Sequence, residues 1–317
     1  SQGAMRDSGP FWYAIFVVEE SVRKESTMRR FARFLLLCVS LLPWTASSAE
    51  PPRVVAIGDI HGEYDGFVSI LRKAGLVDEK LRWAGGPTTF VQTGDYVDRG
   101  PGVRKVMDLL MELERSAPKK KGKVVVLLGN HELMNLTAAF HEGDPASYAA
   151  FADGRSEKRR QAAYVRYVEL HGRLAERYGR APWTLLDEAS WNERHPLGLL
   201  EYQESISRDG RYGKWLRSRV TAVKVGDTVF VHGGISPKAK ERTIEEINER
   251  TRLEIEGFDR VRDFLVAQKL ILPFFTFPEI RTVVDLELAR EGAMPDDLLR
   301  VLRAARSVYD WSIYSED

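Results

Sequence analysis

The chain reads as a layered α/β protein, and three features predict it. Four short β-branched runs, Val54-Val55-Ala56-Ile57, Thr88-Thr89-Phe90-Val91, Val124-Val125-Val126-Leu127-Leu128 and Thr228-Val229-Phe230-Val231, have the length and composition of buried strands. Each leads into a glycine-bearing polar motif: Gly58-Asp59-Ile60-His61-Gly62, Gly94-Asp95-Tyr96-Val97-Asp98-Arg99-Gly100, Gly129-Asn130-His131-Glu132 and His232-Gly233-Gly234. Helical apolar faces follow the first two motifs. Strand, motif, helix, strand is the right-handed crossover unit of such proteins, and ligand sites in open α/β sheets lie where strands end.

Taken in order, residues 1–27 do not resemble part of a fold, since the apolar run Phe11–Val18 is too short to span a bilayer. Met28-Arg29-Arg30-Phe31-Ala32-Arg33 is a basic start and Phe34–Leu42 an apolar stretch. Thr45-Ala46-Ser47-Ser48-Ala49 then supplies the small residues of an export-signal cleavage site, simplest after Ala49. Residues 28–49 are therefore expected to be a signal peptide, with Met28 the true start, and residues 50–317 a single exported domain, periplasmic or secreted. No stable membrane insertion is expected after cleavage. The single cysteine, Cys38, falls inside the signal, so the mature chain would carry neither thiol nor disulfide.

Phe67, Val68, Ile70, Leu71 and Ala74 form one face of a helix that Gly75 can cap. Val103, Val106, Met107, Leu109, Leu110 and Leu113 form the next, with Pro101 near its start. Residues 133–218 read as a helical insertion. Within it, Glu157–Tyr178 has helical spacing and an aromatic face that suits either a cap over the site or a peripheral packing surface. Thr221–Val225 and Thr228–His232 flank Gly226-Asp227 as a β-hairpin. Glu241–Arg250 and Ile255–Gln268 read as two helices, Pro273 and Pro278 as interruptions, and Pro295-Asp296-Asp297 as the start of a last helix.

The formal charge of +1 gives no general basic field, so a nucleic-acid partner is not expected. Lys119-Lys120-Lys121-Gly122-Lys123 reads as a solvated loop, and His141, His171 and His195 as ordinary surface or core histidines.

The motifs carry the ligand types of a divalent-metal centre, carboxylate and amide oxygens with imidazoles. Alternation along an extended segment would point Asp59 and His61 to one side, and Asp95 can share its two oxygens between metals. Two ions about 3.5–4 Å apart lower the pKa of a shared water from ~15.7 towards ~7. Oxygen and imidazole donors without thiolate suit Mn, Fe or Zn.

The ordered set of motifs resembles the phosphoprotein phosphatase superfamily of calcineurin-like metallophosphoesterases, with its pattern GDxHG, GDxVDRG, GNHE and HGG. The likeness runs from about Arg53 to Pro237. Gly129-Asn130-His131-Glu132-Leu133-Met134-Asn135-Leu136-Thr137 and the signal-like leader are most similar to the Shewanella-like, bacterial-type group. The resemblance implies a β-sandwich covered by helices, with two divalent ions at one edge, Mn being the first to try in vitro. It implies Asp59, His61 and Asp95 on the first metal and Asp95, Asn130 and His232 on the second. A metal-bridging hydroxide would attack phosphorus in line. His131 would protonate the leaving oxygen, Asp98 would orient His131, and Arg99, with Asn130 and His131, would hold the phosphate.

Phosphorylated proteins of the Ser/Thr/Tyr type, or small phosphate esters, are the implied substrates. A dinucleoside-polyphosphate hydrolase is the rival within the enzymes, and Val97-Asp98-Arg99-Gly100 leans away from it. One departure stands out. The family supplies a further metal-binding His and a second phosphate-gripping Arg after the last motif, yet no histidine follows His232 here. The expectation is a chain that stops short of both, with Arg281, Arg303 or Arg306 as conceivable substitutes, and the alternative function is an impaired phosphatase-like binder of metal or phospho-ligands.

Overall fold

The computed structural model describes residues 15–16, 53–140, 144–235 and 242–290. Its main sheet runs in the order β1 (Ile15–Phe16), β2 (Val54–Ile57), β3 (Thr89–Gln92), β4 (Lys123–Val126). The last three strands are parallel, and their registers set Ile57 beside Gln92 and Gln92 beside Val126. The first three motifs therefore leave the sheet along one edge. Ile15 and Phe16 pair antiparallel with Ile57 and Ala56, a short contact from a segment the sequence reading leaves outside the fold. The proposed signal peptide, His141, Pro237, the helix from Pro295, Arg303 and Arg306 lie outside the described residues.

Crossover helices α1 (Tyr64–Lys73) and α2 (Val103–Ser116) cover the sheet, and all six residues expected on the apolar face of α2 are buried. Gly75 turns at φ +66 just past α1, as a helix-ending glycine does. Lys119–Lys121 are exposed, in and just after a 3₁₀ turn (Ala117–Lys120) that precedes β4.

Helix α3 (Asn130–Leu136) carries the third motif into the insertion, which continues as α4 (Pro145–Ala149), α5 (Ser156–Tyr178), α6 (Glu188–Arg194), α7 (Leu199–Ile206) and α8 (Arg211–Arg217). The expected hairpin follows as β5 (Ala222–Val225) and β6 (Thr228–Val231). Among the described residues this hairpin is the whole second sheet. The sandwich is correspondingly lopsided, joined to the first sheet by a bridge between Leu127 and Val220.

Beyond it, the two expected helices prove to be one, α9 (Ile244–Ala267). No breaker separates them, and the pairs Arg250–Glu254 and Arg252–Glu256 tie successive turns across the expected gap. Pro278 does not interrupt a helix either: it sits in the first turn of α10 (Phe277–Leu288), where its missing N–H costs nothing.

The apolar interior forms two clusters. The first joins the sheet, α1 and α2 to Tyr148, Phe151, Tyr202, Tyr212 and Trp215 of the insertion. The second joins α5 and Trp191 to α9 and α10. The aromatic face of α5 is thus packed peripherally: Tyr167 lies 4.7 Å from the fully buried Trp191 ring.

Candidate active site

The strand ends deliver three turns that cross one another. The first motif hangs on the second through the N–H groups of Ile60 and His61, which both donate to the Asp95 carbonyl (2.8 and 3.0 Å). Buried Gln92 stitches the same turns, donating to the carbonyls of Gly58 and Gly94 and accepting from the Gly94 N–H. Glu132 is the central clamp. Its carboxylate accepts the N–H groups of Asp95, Tyr96, Val97 and Gly129 at 2.8–3.1 Å, binding the second turn to the third. Burial and the charge of Asp95 push the Glu132 carboxyl up to about 7, against the pull of those donors.

The geometry held this way is strained. His61, Asp95, Asp98 and Arg99 all have φ between +45 and +64, half of the non-glycine residues found there among the described residues. Such conformations cost of order 1–3 kcal/mol each and gather at functional sites.

Asp95 lies at the centre. Its Oδ2 is 3.6 Å from His61 Nε2, 3.3 Å from His232 Nε2 and 3.9 Å from His131 Nε2. Its Oδ1 accepts the His131 backbone N–H at 3.1 Å. Two groups of potential ligand atoms form around it, His61–Asp95–His131 and Asp59–Asp95–His232. Asn130 Oδ1 joins the second, 2.9 Å from His232 Nε2. All five expected ligands therefore converge around the Asp95 carboxylate. His61 occupies a turn at φ +45, where strand alternation does not apply, and Asp59 Oδ1 lies 3.7 Å from His232 Nδ1.

The donor set fits divalent ions. His61 Nδ1–H donates to the Val97 carbonyl at 3.0 Å, which leaves the Nε2 lone pair facing the Asp95 carboxylate. Nδ1 of His232 is buried without a hydrogen-bond partner among the described residues. Burial lowers the pKa of His61 below its ordinary value, favouring the neutral, ligating form.

His131 is held differently. Its Nδ1 donates to Asp98 Oδ2 at 2.9 Å, both residues being almost fully buried. Burial opposes charge on this imidazole, but the Asp98 hydrogen bond and the charges of Asp95 and Asp98 outweigh it and raise its pKa. Arg99 reaches between the rings, its guanidinium 3.2 Å from both His61 Nε2 and His131 Nε2. An Arg donates only, so each Nε2 is an acceptor in this arrangement.

Two of the other histidines play no part. His171 Nε2 lies 2.9 Å from the Trp183 carbonyl, and His195 stacks on Trp191 at 3.5 Å. A cavity of about 320 Å³ lined by Arg208, Arg217, Arg252 and Arg260 lies apart from these ligands; Arg217 is committed to Asp259, Arg208 to Asp263 and Arg252 to Glu256. Sequence reasoning missed Gln92, Asn135 and Tyr202 and left Glu132 without a role, although Glu132 and Asn135 stand inside the stretch that carried the resemblance.

Fold and site together define a metallophosphoesterase. The family model for calcineurin-like phosphoesterases matches residues 52–276, and the chain belongs to that family. It is 31% identical over 217 residues to Shewanella-like protein phosphatase 2 of Arabidopsis thaliana, covering 66% of this chain and 53% of that one. It is 29% identical over 205 residues to Shewanella-like protein phosphatase 1 of Plasmodium berghei, covering 65% and 45%. The symmetrical bis(5'-nucleosyl)-tetraphosphatase of Neisseria meningitidis matches at 26% over 210 residues, covering 66% and 53%. The chain thus spans about half the length of these curated relatives. A solved cold-active protein-tyrosine phosphatase of a psychrophilic Shewanella species is 27% identical, covers 70% of this chain and 54% of its own, and superposes with a TM-score of 0.45.

Proposed function

We propose that this chain is the catalytic part of a metal-dependent phosphatase that hydrolyses phosphate monoesters, with phosphorylated proteins as its substrate class. One observation carries the reading: a two-sided ligand cluster centred on Asp95 stands beside an imidazole held by a buried carboxylate, His131 on Asp98. Phosphoryl transfer needs those two devices within one molecule's reach. Asp59, His61, Asp95, Asn130 and His232 would hold two divalent ions. When bound, the ions supply an acidified water and neutralise phosphate charge.

The chain's own residues do the rest. Arg99 turns from the two Nε2 atoms to phosphate oxygens, a bidentate fork that lysine cannot copy, and Asn130 borders the same space. Release of Arg99 frees His131 Nε2 to carry a proton to the leaving oxygen, while Asp98 keeps the Nδ1 proton and steadies the charged ring. Manganese is the ion we propose for activity in vitro, and residues 28–49 the export signal that sends the protein to the periplasm or outside. N-terminal sequencing of protein recovered from the periplasm and medium tests the latter, with Glu50 the expected first residue.

The test of function is hydrolysis of p-nitrophenyl phosphate by the full chain with and without Mn²⁺, beside Asp95→Ala. Turnover that needs the ion and vanishes in the variant is expected; turnover that survives in Asp95→Ala refutes the assignment. Phosphotyrosine and phosphoserine peptides against diadenosine tetraphosphate then separate the phosphatase from its hydrolase rival.

A further inference from the structure

Behind the His131–Asp98 pair a buried hydrogen-bond chain continues into the insertion. Asp98 Oδ2 accepts from Asn135 Nδ2 at 2.7 Å as well as from His131. The same Nδ2 donates to the His131 carbonyl at 2.8 Å, and Asn135 Oδ1 accepts from the Tyr202 hydroxyl at 2.8 Å. All four residues are at most 3% exposed. Tyr202 belongs to α7, 67 residues further along than Asn135, so the insertion reaches the reaction centre at this point.

We propose that Tyr202 is a positioning residue for the leaving-group acid: its hydroxyl locks the Asn135 amide in the one orientation that clamps Asp98 against His131. The inference rests on the phosphatase reading above and extends it to a residue that touches neither metal nor substrate.

Donor and acceptor chemistry gives the chain its direction. Burial, reinforced by the charge of Asp98, pushes the Tyr202 phenol well above its ordinary range, so the hydroxyl keeps its proton and donates. A donor on one side of the Asn135 amide must meet Oδ1, which turns Nδ2 towards the carboxylate. Without that donor Oδ1 is left buried and unpartnered, and the amide can tilt away from the carboxylate although Asp98 Oδ2 and the His131 carbonyl still face Nδ2. Asp98 has little else to resist this. Its Oδ1 is buried with no partner among the described residues, so both of its hydrogen bonds converge on Oδ2. Tyr202 is itself well held. Phe151 meets its ring at 4.9 Å, Tyr148 at 5.3 Å and Phe140 at 6.3 Å, so the position of the hydroxyl is set by packing.

The experiment uses the full chain with Mn²⁺ and two substrates that differ in their need for a proton. Phenyl phosphate has a poor leaving group that must be protonated; 2,4-dinitrophenyl phosphate leaves as a stable anion. General acid catalysis contributes ~10²–10⁴-fold, so loosening the acid should cost about 10-fold where the proton is needed. Tyr202→Phe keeps the ring and removes only the hydroxyl. It is expected to lower kcat on phenyl phosphate about 10-fold more than on 2,4-dinitrophenyl phosphate, and to add little in an Asp98→Asn background. Equal loss on both substrates would mean a merely structural role, and no loss on either would mean that the hydroxyl does nothing; each overturns the proposal.

A readout without turnover keeps the two readings apart. In ¹⁵N-histidine-labelled protein the His131 Nδ1 proton should give a downfield, exchange-protected resonance that broadens or moves in Tyr202→Phe. If the parent chain fails to hydrolyse either substrate, the phosphatase reading falls, and an unchanged resonance would sink the relay independently.

Discussion

Replacing Gly129 by alanine asks whether the crossing of the second and third turns is what holds Asp95. A Cβ on Gly129 would lie 2.2 Å from Asp95 Oδ1 and 2.7 Å from the Asp95 backbone nitrogen. Gly94, at φ +103, faces the same crossing, and a Cβ there would lie 2.5 Å from the Gly129 nitrogen. Ordinary contact begins near 3.4 Å, so the new methyl must gain about 1.2 Å from Oδ1. The backbone resists moving far, because Glu132 Oε2 holds the N–H groups of both Asp95 and Gly129 at 2.8 Å.

The two turns must therefore part slightly to clear the Asp95 nitrogen, and the carboxylate must rotate. That breaks the 3.1 Å bond from the His131 N–H and carries Oδ2 out of the space it shares with His61 and His232. Overpacking of this kind costs about 1–3 kcal/mol in stability, and a ~1 Å misplacement at a reacting centre costs ~10²-fold in rate. Gly129→Ala should remain folded in a thermal melt, bind Mn²⁺ at least ~10-fold more weakly by calorimetry, and hydrolyse p-nitrophenyl phosphate ~10²-fold more slowly. Parental Mn²⁺ affinity together with turnover within about threefold would refute the claim that this crossing positions the shared carboxylate.

Three further outcomes follow from single sites. Burial pushes the pKa of His195 down to about 4 from 6.5, so the unfolded chain takes up a proton that the folded chain refuses. Its contribution is intact above about pH 6.5 and falls away towards pH 4, by about 3 kcal/mol in all; urea midpoints at pH 7.5 and 4.5 should differ less in His195→Phe than in the parent, and an equal difference counts against it. Gly172 lies exposed in α5 with open space where a Cβ would go, so Gly172→Ala should stabilise by about 1 kcal/mol, and a lowered melting temperature would contradict that placement. Arg99→Lys retains the charge but loses the fork, and should lower kcat/KM about 10-fold; steady-state kinetics matching the parent would show that Arg99 does not grip phosphate.

What could be read from the sequence was local. Asp59, His61, Asp95, Asn130 and His232 each stand beside a glycine or another ligand directly after a β-branched run, so strand and site announce each other within a few residues. The six buried residues of α2 were legible for the same reason, since a helical face is a local pattern. The continuity of α9 was not, because ion pairs one turn apart sustain a helix where the apolar pattern lapses. Division of the insertion between two clusters was equally hidden. Tyr202 and Tyr167 are both aromatic residues on amphipathic helices, yet one packs on the sheet cluster and the other on α9 and α10. Composition cannot separate them.

The residues that escaped notice are those that bear the strain. Four left-handed side-chain-bearing positions crowd the site, and each needs of order 1–2 kcal/mol of support from elsewhere. That support comes from groups that perform no chemistry: four backbone N–H groups on Glu132, the three bonds of Gln92, and the Asn135–Tyr202 pair behind Asp98. Hydrogen bonds to a buried charge are worth about 1.5–3 kcal/mol each, and the burial of Glu132 offsets part of what its four bonds supply, so the clamp shares the support with Gln92 and Asn135. A ligand motif copied onto another sheet without Glu132, Gln92 and an equivalent of Tyr202 would keep the residue types and relax the geometry. The chemistry is written in the motifs; its precision is supplied by the residues packed behind them.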